Sequence, residues 1–212
     1  MGALAPIAKR NVFVYKVMMV TPNRPGRPQD ATATAALLAA VVDLLAEEGV
    51  AGLTTAAVAA RAGVSTATLY RRWPSKGALI LAAVSVLDDA LPPPPDTGTT
   101  DGDLRALCDH KRAVLAGNVG GAVAALMAEA PRDAELREVL RLSVVAPVEA
   151  HLAEILHRAA ARGERARVGA AEAADLILGL AFARICLRGA GDDVLSRRDE
   201  DVLVSTIIGG AA

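Results

Sequence analysis

Aromatic side chains are almost missing from this sequence: one Trp, two Tyr and two Phe stand among 212 residues, and beyond Trp73 only Phe182 remains. The long C-terminal part therefore cannot assemble the aromatic faces that usually cage a cationic drug. Cysteine is nearly as scarce. Cys108 and Cys186 are the full complement, too few for a disulfide framework or for a zinc site of cysteines alone. Both fall in apolar helical contexts and read as reduced core residues of a cytoplasmic protein. Alternating β-branched runs with turn signals are scarce too, while Ala and Leu abound, so an all-α protein is expected.

No apolar run is long enough to span a bilayer. The nearest is Val12–Val20, interrupted by Lys16, and a helix would need about 20 such residues. Lys9 and Arg10 precede it as in a signal peptide, but no small-residue cleavage site follows. Residues 1–28 are read as a disordered extension, with translation expected to begin at Met18 or Met19, and no membrane partner is expected. Catalytic patterns are missing as well. His110, His151 and His157 lack the His-Glu spacing of a zinc helix, and neither a Gly-x-Ser-x-Gly elbow nor a phosphate-binding glycine loop occurs. His151 and Glu154 share a helix face, which reads as a surface pair. No enzyme, cofactor or metal is expected.

The net charge of −1 points to no particular partner. Its distribution leans slightly: residues 1–90 hold nine Lys or Arg against six Asp or Glu, and residues 91–212 hold fourteen against eighteen.

In Ala31–Glu48, Leu37, Leu38, Val41, Val42, Leu44 and Leu45 recur at helical spacing, and Gly49 is a C-cap candidate. Short helices follow at Thr55–Ala62 and from Ser65 to about Arg72, then a longer one from Lys76 to about Leu91. Pro92–Pro95 with the following Asp, Thr and Gly residues is the clearest linker. Three units result: 1–28, 29–91 and 101–212. In the last, helices are expected at about 103–116, 119–129, 133–161, 169–188 and 197–208, with a kink at Pro147, which cannot donate its i→i−4 hydrogen bond.

The pair of short helices meets the demands of a helix-turn-helix. Gly63 supplies the left-handed turn, Ala59 permits close approach, and Val58, Val64 and Leu69 can lock the helices together. Thr54 and Ser65 can cap the exposed N–H groups. The outer face of the second helix is then Ser65, Thr66, Ala67, Thr68, Tyr70, Arg71 and Arg72. Hydroxyls and guanidinium groups suit phosphate oxygens and base edges, and an alanine methyl suits a thymine methyl. A plain helical hairpin with a polar face remains the alternative on this pattern alone.

Gly63 to Lys76, Gly-Val-Ser-Thr-Ala-Thr-Leu-Tyr-Arg-Arg-Trp-Pro-Ser-Lys, closely resembles the signature of the tetracycline-repressor (TetR) family of bacterial regulators. So do Leu44–Gly49 and Leu53–Thr55, and the likeness covers Ala31–Leu91. The resemblance implies an N-terminal three-helix DNA-binding domain and a C-terminal helical ligand-binding and dimerisation domain. It implies that Thr66–Arg72 is the recognition helix and that Tyr70, Lys76 and Thr54 or Thr55 hold phosphates. Trp73 stands where the family commonly has Phe, and Arg72 where it often has His. The first helix reads Thr32-Ala-Thr34-Ala-Ala where the family often has an Arg, so that contact is not carried over. Upstream, Arg24 and Arg27 sit in a Pro- and Gly-rich stretch resembling the family's basic tails, and are expected to form an arm along the minor groove.

By the same resemblance, Ala171–Leu187 and Arg197–Gly210 are the last two helices and pair with their twins across a two-fold axis. Gly179 and Ala183 would allow close approach, and Leu176, Leu180, Leu187, Val202 and Ile207 would supply apolar area; the alternative is the protomer's own core. An effector pocket is implied beside the kinked helix. Composition makes it aliphatic, suited to a small neutral or apolar, acyl-chain-like effector, with Leu107, Met127, Leu140, Ile155 and Phe182 as its expected lining. The resulting expectation is a homodimeric, ligand-responsive repressor on a palindromic double-stranded operator. An activator of the same type, or a small helical carrier or enzyme, are the alternatives.

Overall fold

The computed structural model describes residues 28–89, 93–189 and 194–208. Among the described residues there are ten α-helices, one turn of π-helix and no strand. They run α1 Pro28–Gly52, α2 Thr55–Ala62, α3 Thr66–Arg72, α4 Lys76–Asp89, α5 Thr100–Leu115, α6 Asn118–Glu129 and α7 Ala134–Leu140, then the π turn Arg141–Val145, followed by α8 Ala146–Ala161, α9 Ala170–Arg188 and α10 Arg197–Ile208. Residues 1–27, Arg24 and Arg27 among them, lie outside the described residues, whereas Pro28, expected in the extension, opens α1.

Helix α1 buries Leu37, Ala40, Val41, Leu44 and Leu45, an i, i+3, i+4 stripe facing inward. Its last turn departs from the helix at Gly49, whose φ of 69° is the left-handed conformation a glycine tolerates. The C-terminal half of α1 packs along α6, where a small pair allows close approach: a Cβ on Gly121 would lie 3.2 Å from the Ala46 Cβ. Asn118 at the start of α6 donates to the Asp43 carboxylate at 2.6 Å. The N-terminal helices and the C-terminal bundle thus share one continuous apolar core across the 93–99 connection.

The expected kink at Pro147 takes a specific form. Proline cannot donate to the Ser143 carbonyl, and its ring crowds that group. The helix relaxes one turn earlier into π geometry, with the Ala146 N–H bonding the Arg141 carbonyl five residues back.

Ions lock α10 onto the bundle. Glu200 is fully buried and takes guanidinium contacts from Arg112 of α5 and Arg197, the latter at 2.8 Å. Ser196 and Asp199 cap the helix reciprocally: the Asp199 N–H reaches the Ser196 hydroxyl at 3.3 Å, and the Ser196 N–H donates to the Asp199 carboxylate at 3.1 Å. The cysteines divide. Cys108 is buried, and burial, followed by the charge of Glu200, pushes its thiol up to about 12. Cys186 is exposed near the end of α9, which corrects its assignment to the core: it lies on the face of α9 opposite the buried Ala174, Ile177, Leu178 and Ala181.

Candidate nucleic-acid interface

Two caps and one glycine build the reading head. The Thr54 hydroxyl oxygen accepts from the Ala57 N–H at 3.1 Å and starts α2. Gly63, at φ 67° and ψ 30°, ends α2, and its own N–H returns to the Ala60 carbonyl at 3.2 Å. The Ser65 hydroxyl then accepts from the Thr68 N–H at 3.3 Å and starts α3. Val58, Ala59 and Leu69 are buried between the helices, with Val64 and Trp73 partly buried against them. Each cap spends an oxygen lone pair and keeps its O–H proton, so Thr54 can still donate to a phosphate.

The outer face is exposed as the sequence implies. Ser65, Thr66, Ala67, Tyr70 and Arg71 are open to solvent, while Thr68 and Arg72 are half-buried. Three contacts across elements could not be read from local pattern. The Tyr70 and Thr55 hydroxyls lie 3.1 Å apart, joining α3 to the start of α2. The Lys76 ammonium donates to the Val50 carbonyl at 2.6 Å, fixing the start of α4 against the end of α1. Arg61 pairs with Glu47 at 2.7 Å, tying α2 to α1. Thr54 and Thr55 at the start of α2, Tyr70 on α3 and Lys76 at the start of α4 carry hydroxyl and ammonium donors of the kind that suits the oxygens of a phosphate backbone.

A second feature lies in the bundle. Beside the π turn lies a small cavity that is partly open to solvent. Val114 of α5, Val123 of α6, Leu178 of α9 and Val84 of α4 are among its apolar walls; Ser143 and Val148 close one side, and Lys111 is the charged residue of its lining. None of the five residues expected at the pocket lines it. Leu107, Leu140, Ile155 and Phe182 are buried in the core and Met127 packs half-buried against it. The cavity sits at the C-terminal end of α5, a turn or more beyond Leu107, and Ser143 and Val144 of the π turn line it while Leu140 packs into the core.

The third feature is a face of α9 and α10. Leu176, Leu187 and Val202 are exposed at 37%, 82% and 56%. Gly179 is open, with nothing within 4 Å of where its Cβ would stand, and Leu180 and Ala183 are half-buried. Ile207 is corrected: it is fully buried with Leu203 and Val204 on the inner side of α10, a spacing that turns it away from Val202.

A tri-helical reading head with an exposed polar recognition helix, set on a helical bundle, defines a helix-turn-helix DNA-binding protein. Among the described residues no helix is long and apolar enough to cross a membrane. Residues 37–83 match the family model for bacterial regulatory proteins of the tetR family, and residues 94–201 match that of the tetracyclin repressor-like C-terminal domain. The chain is 30% identical over 189 residues to the uncharacterized HTH-type transcriptional regulator YdeS of Bacillus subtilis (strain 168), covering 88% of this chain and 94% of that one. It is 39% identical over 131 residues to the HTH-type regulator Rv1556 of Mycobacterium tuberculosis (strain ATCC 25618 / H37Rv), covering 60% and 63%. The crystal structure of the TetR family transcription regulator SCO0332 superposes with a TM-score of 0.62 at 33% identity, over 85% of this chain and 99% of that one. The chain belongs to the TetR family of DNA-binding transcriptional regulators, and it is not an enzyme.

Proposed function

We propose that this regulator is a homodimeric repressor that binds a palindromic double-stranded operator and is released by a small effector. TetR-family regulators bind DNA and small-molecule effectors, typically as dimers. The observation that carries the reading here is the exposed recognition helix, with the Tyr70 and Thr55 hydroxyls paired beside it and Lys76 exposed at the start of α4. Residues 29–91 act as the DNA-binding unit, and residues 101–212 hold the effector and the partner. Dimerisation uses the exposed stripe of Leu176, Gly179, Ala183, Leu187 and Val202, since apolar area of this kind left open on a helix favours a matching copy. Thr66, Ala67, Thr68 and Arg71 face the bases, Ser65 and Arg72 the backbone, and the Arg24/Arg27 arm adds contacts in the minor groove. The cavity walls favour an aliphatic effector body. An effector that binds better to a spacing of the two heads that misses the half-sites would lower operator affinity.

A mobility shift with DNA from upstream of the protein's own gene tests this. Wild type should retard the fragment, Tyr70→Ala should bind it more weakly, and a reporter should be silenced when the protein is present. Equal binding by Tyr70→Ala overturns the assigned interface, and a reporter activated by the protein overturns repression.

A further inference from the structure

The connection that follows the reading head is tied to the bundle by directional contacts. Residues 90–92 alone separate the end of α4 from the stretch 93–99, so the end of α4 cannot travel far without moving that stretch. Asp103, in the first turn of α5, is fully buried. Its Oδ1 accepts from the Thr97 N–H at 2.6 Å and from the Thr97 hydroxyl at 2.8 Å. Its Oδ2 is buried and accepts no hydrogen bond among the described residues. The guanidiniums of Arg158 in α8 and of Arg162 just beyond it stand 3.6 and 3.7 Å from that oxygen. Arg158 also donates to the Pro95 carbonyl, and Arg162 donates to the hydroxyl of the buried Thr100 at 2.9 Å. Gly102 permits this close folding, since a Cβ there would lie 2.3 Å from the Thr97 hydroxyl oxygen.

We propose that Asp103 is a positioning residue for operator recognition. Holding Thr97 on one oxygen and facing Arg158 and Arg162 with the other, it fixes the angle between the reading head and the proposed dimer face, and so the half-site spacing that the dimer accepts. The proposal rests on the homodimer and palindrome reading above. The apolar core shared by head and bundle is non-directional and admits small sliding of one helix past another. A buried carboxylate with directional bonds and facing charges selects one position instead. Helix α8 packs in turn against α9, which bears Leu176 and Leu187, so the tie reaches from the end of α4 to the proposed interface. Asparagine has nearly the same shape as aspartate, and its amide oxygen can still accept from Thr97. Its NH2 group would then face two guanidiniums, donor against donor. The charge that holds α8 is lost, while nothing in the reading head is touched.

The test uses the full chain and synthetic duplexes built on the inverted repeat that it protects upstream of its own gene. The set holds the native repeat, versions with one base pair added or removed between the half-sites, and a single half-site. Each added pair shifts one half-site by about 3.4 Å and turns it by about 34°. By fluorescence anisotropy, wild type should lose roughly tenfold or more in affinity on either altered spacing. Asp103→Asn should bind the native repeat roughly tenfold more weakly than wild type and lose under about threefold on altered spacing. On the single half-site the two proteins should bind alike, with circular dichroism confirming the fold of the variant. If Asp103→Asn fails to fold, Arg158→Gln, which removes the Pro95 contact and one of the two guanidiniums, carries the same readouts. A variant that keeps the wild-type dependence on spacing overturns the proposal. So does equal weakening on the half-site and the full repeat, which a general loss of structure would produce. Wild type that binds the half-site and every spacing alike overturns the palindrome reading, and the proposal with it.

Discussion

Replacing Lys76 with alanine removes one cation from each reading head and two from the proposed dimer. The side chain is exposed, and its ammonium is held 2.6 Å from the Val50 carbonyl, so in the proposed interface it would meet DNA already positioned at the start of α4. The logarithm of affinity falls with the logarithm of salt concentration by about 0.9 per phosphate neutralised. Losing two such contacts should flatten the slope by about 1.8. Between about 50 and 200 mM salt, a fourfold change, wild type should then lose roughly twelvefold more affinity than Lys76→Ala. Fluorescence anisotropy of a labelled operator at several salt concentrations measures both lines. Tyr70→Phe is the internal contrast, because it removes a neutral hydroxyl: binding should weaken at every salt concentration with the slope unchanged. Parallel lines for wild type and Lys76→Ala would refute the phosphate role of Lys76. A changed slope in Tyr70→Phe would refute the reasoning that separates charge from hydrogen bonding here.

Gly63→Ala should destabilise the protein by about 1–2 kcal/mol, because its φ of 67° is left-handed and nothing lies within 4 Å of the added Cβ to change that conformational cost. Thermal unfolding should fall by roughly 2–8 °C, less for Gly63→Asn, and an unchanged midpoint in the alanine variant contradicts the turn geometry. The unfolded chain protonates His110 near its ordinary value of 6.5, while the folded chain holds it neutral down to about 4. The contribution of His110 to stability is therefore fully present above about 6.5 and is lost as pH falls from there toward 4. His110→Gln should flatten that acid limb in urea titrations, and an identical limb in the variant contradicts the assignment. Glutamate at both Leu176 and Leu187, which are exposed in the protomer, should give folded monomers by sedimentation, whereas an intact dimer removes this face from the interface.

The reading head was legible because its determinants are local. Gly63, the capping hydroxyls of Thr54 and Ser65, and the apolar residues Val58 and Leu69 all lie within sixteen residues of one another, and each acts on its own turn. What joins the head to the rest was not legible. Glu47 with Arg61, Thr55 with Tyr70 and Asp43 with Asn118 meet only once helices pack, and no periodicity announces such pairs. Pro147 marked a break, but whether the chain would kink or open into a π turn depends on neighbours it does not specify. Ser143 and Val144 of that turn line the cavity, while the expected Leu140 packs into the core. Ile207 was misplaced for a related reason. An apolar residue on a two-sided helix can face either side, and the buried Glu200, Leu203 and Val204 settle which. Lys111 drew no notice because a lone lysine on a helix is ordinarily solvated.

Paired reading heads are the centre of the account, and nuclease protection of DNA upstream of the protein's own gene tests them most directly. Two protected blocks related by an inverted repeat should appear, their centres about one helical turn (roughly 34–36 Å) or a multiple of it apart, with two chains bound per site. A single asymmetric block bound by one chain, or no protection at concentrations that saturate the mobility shift, would contradict it.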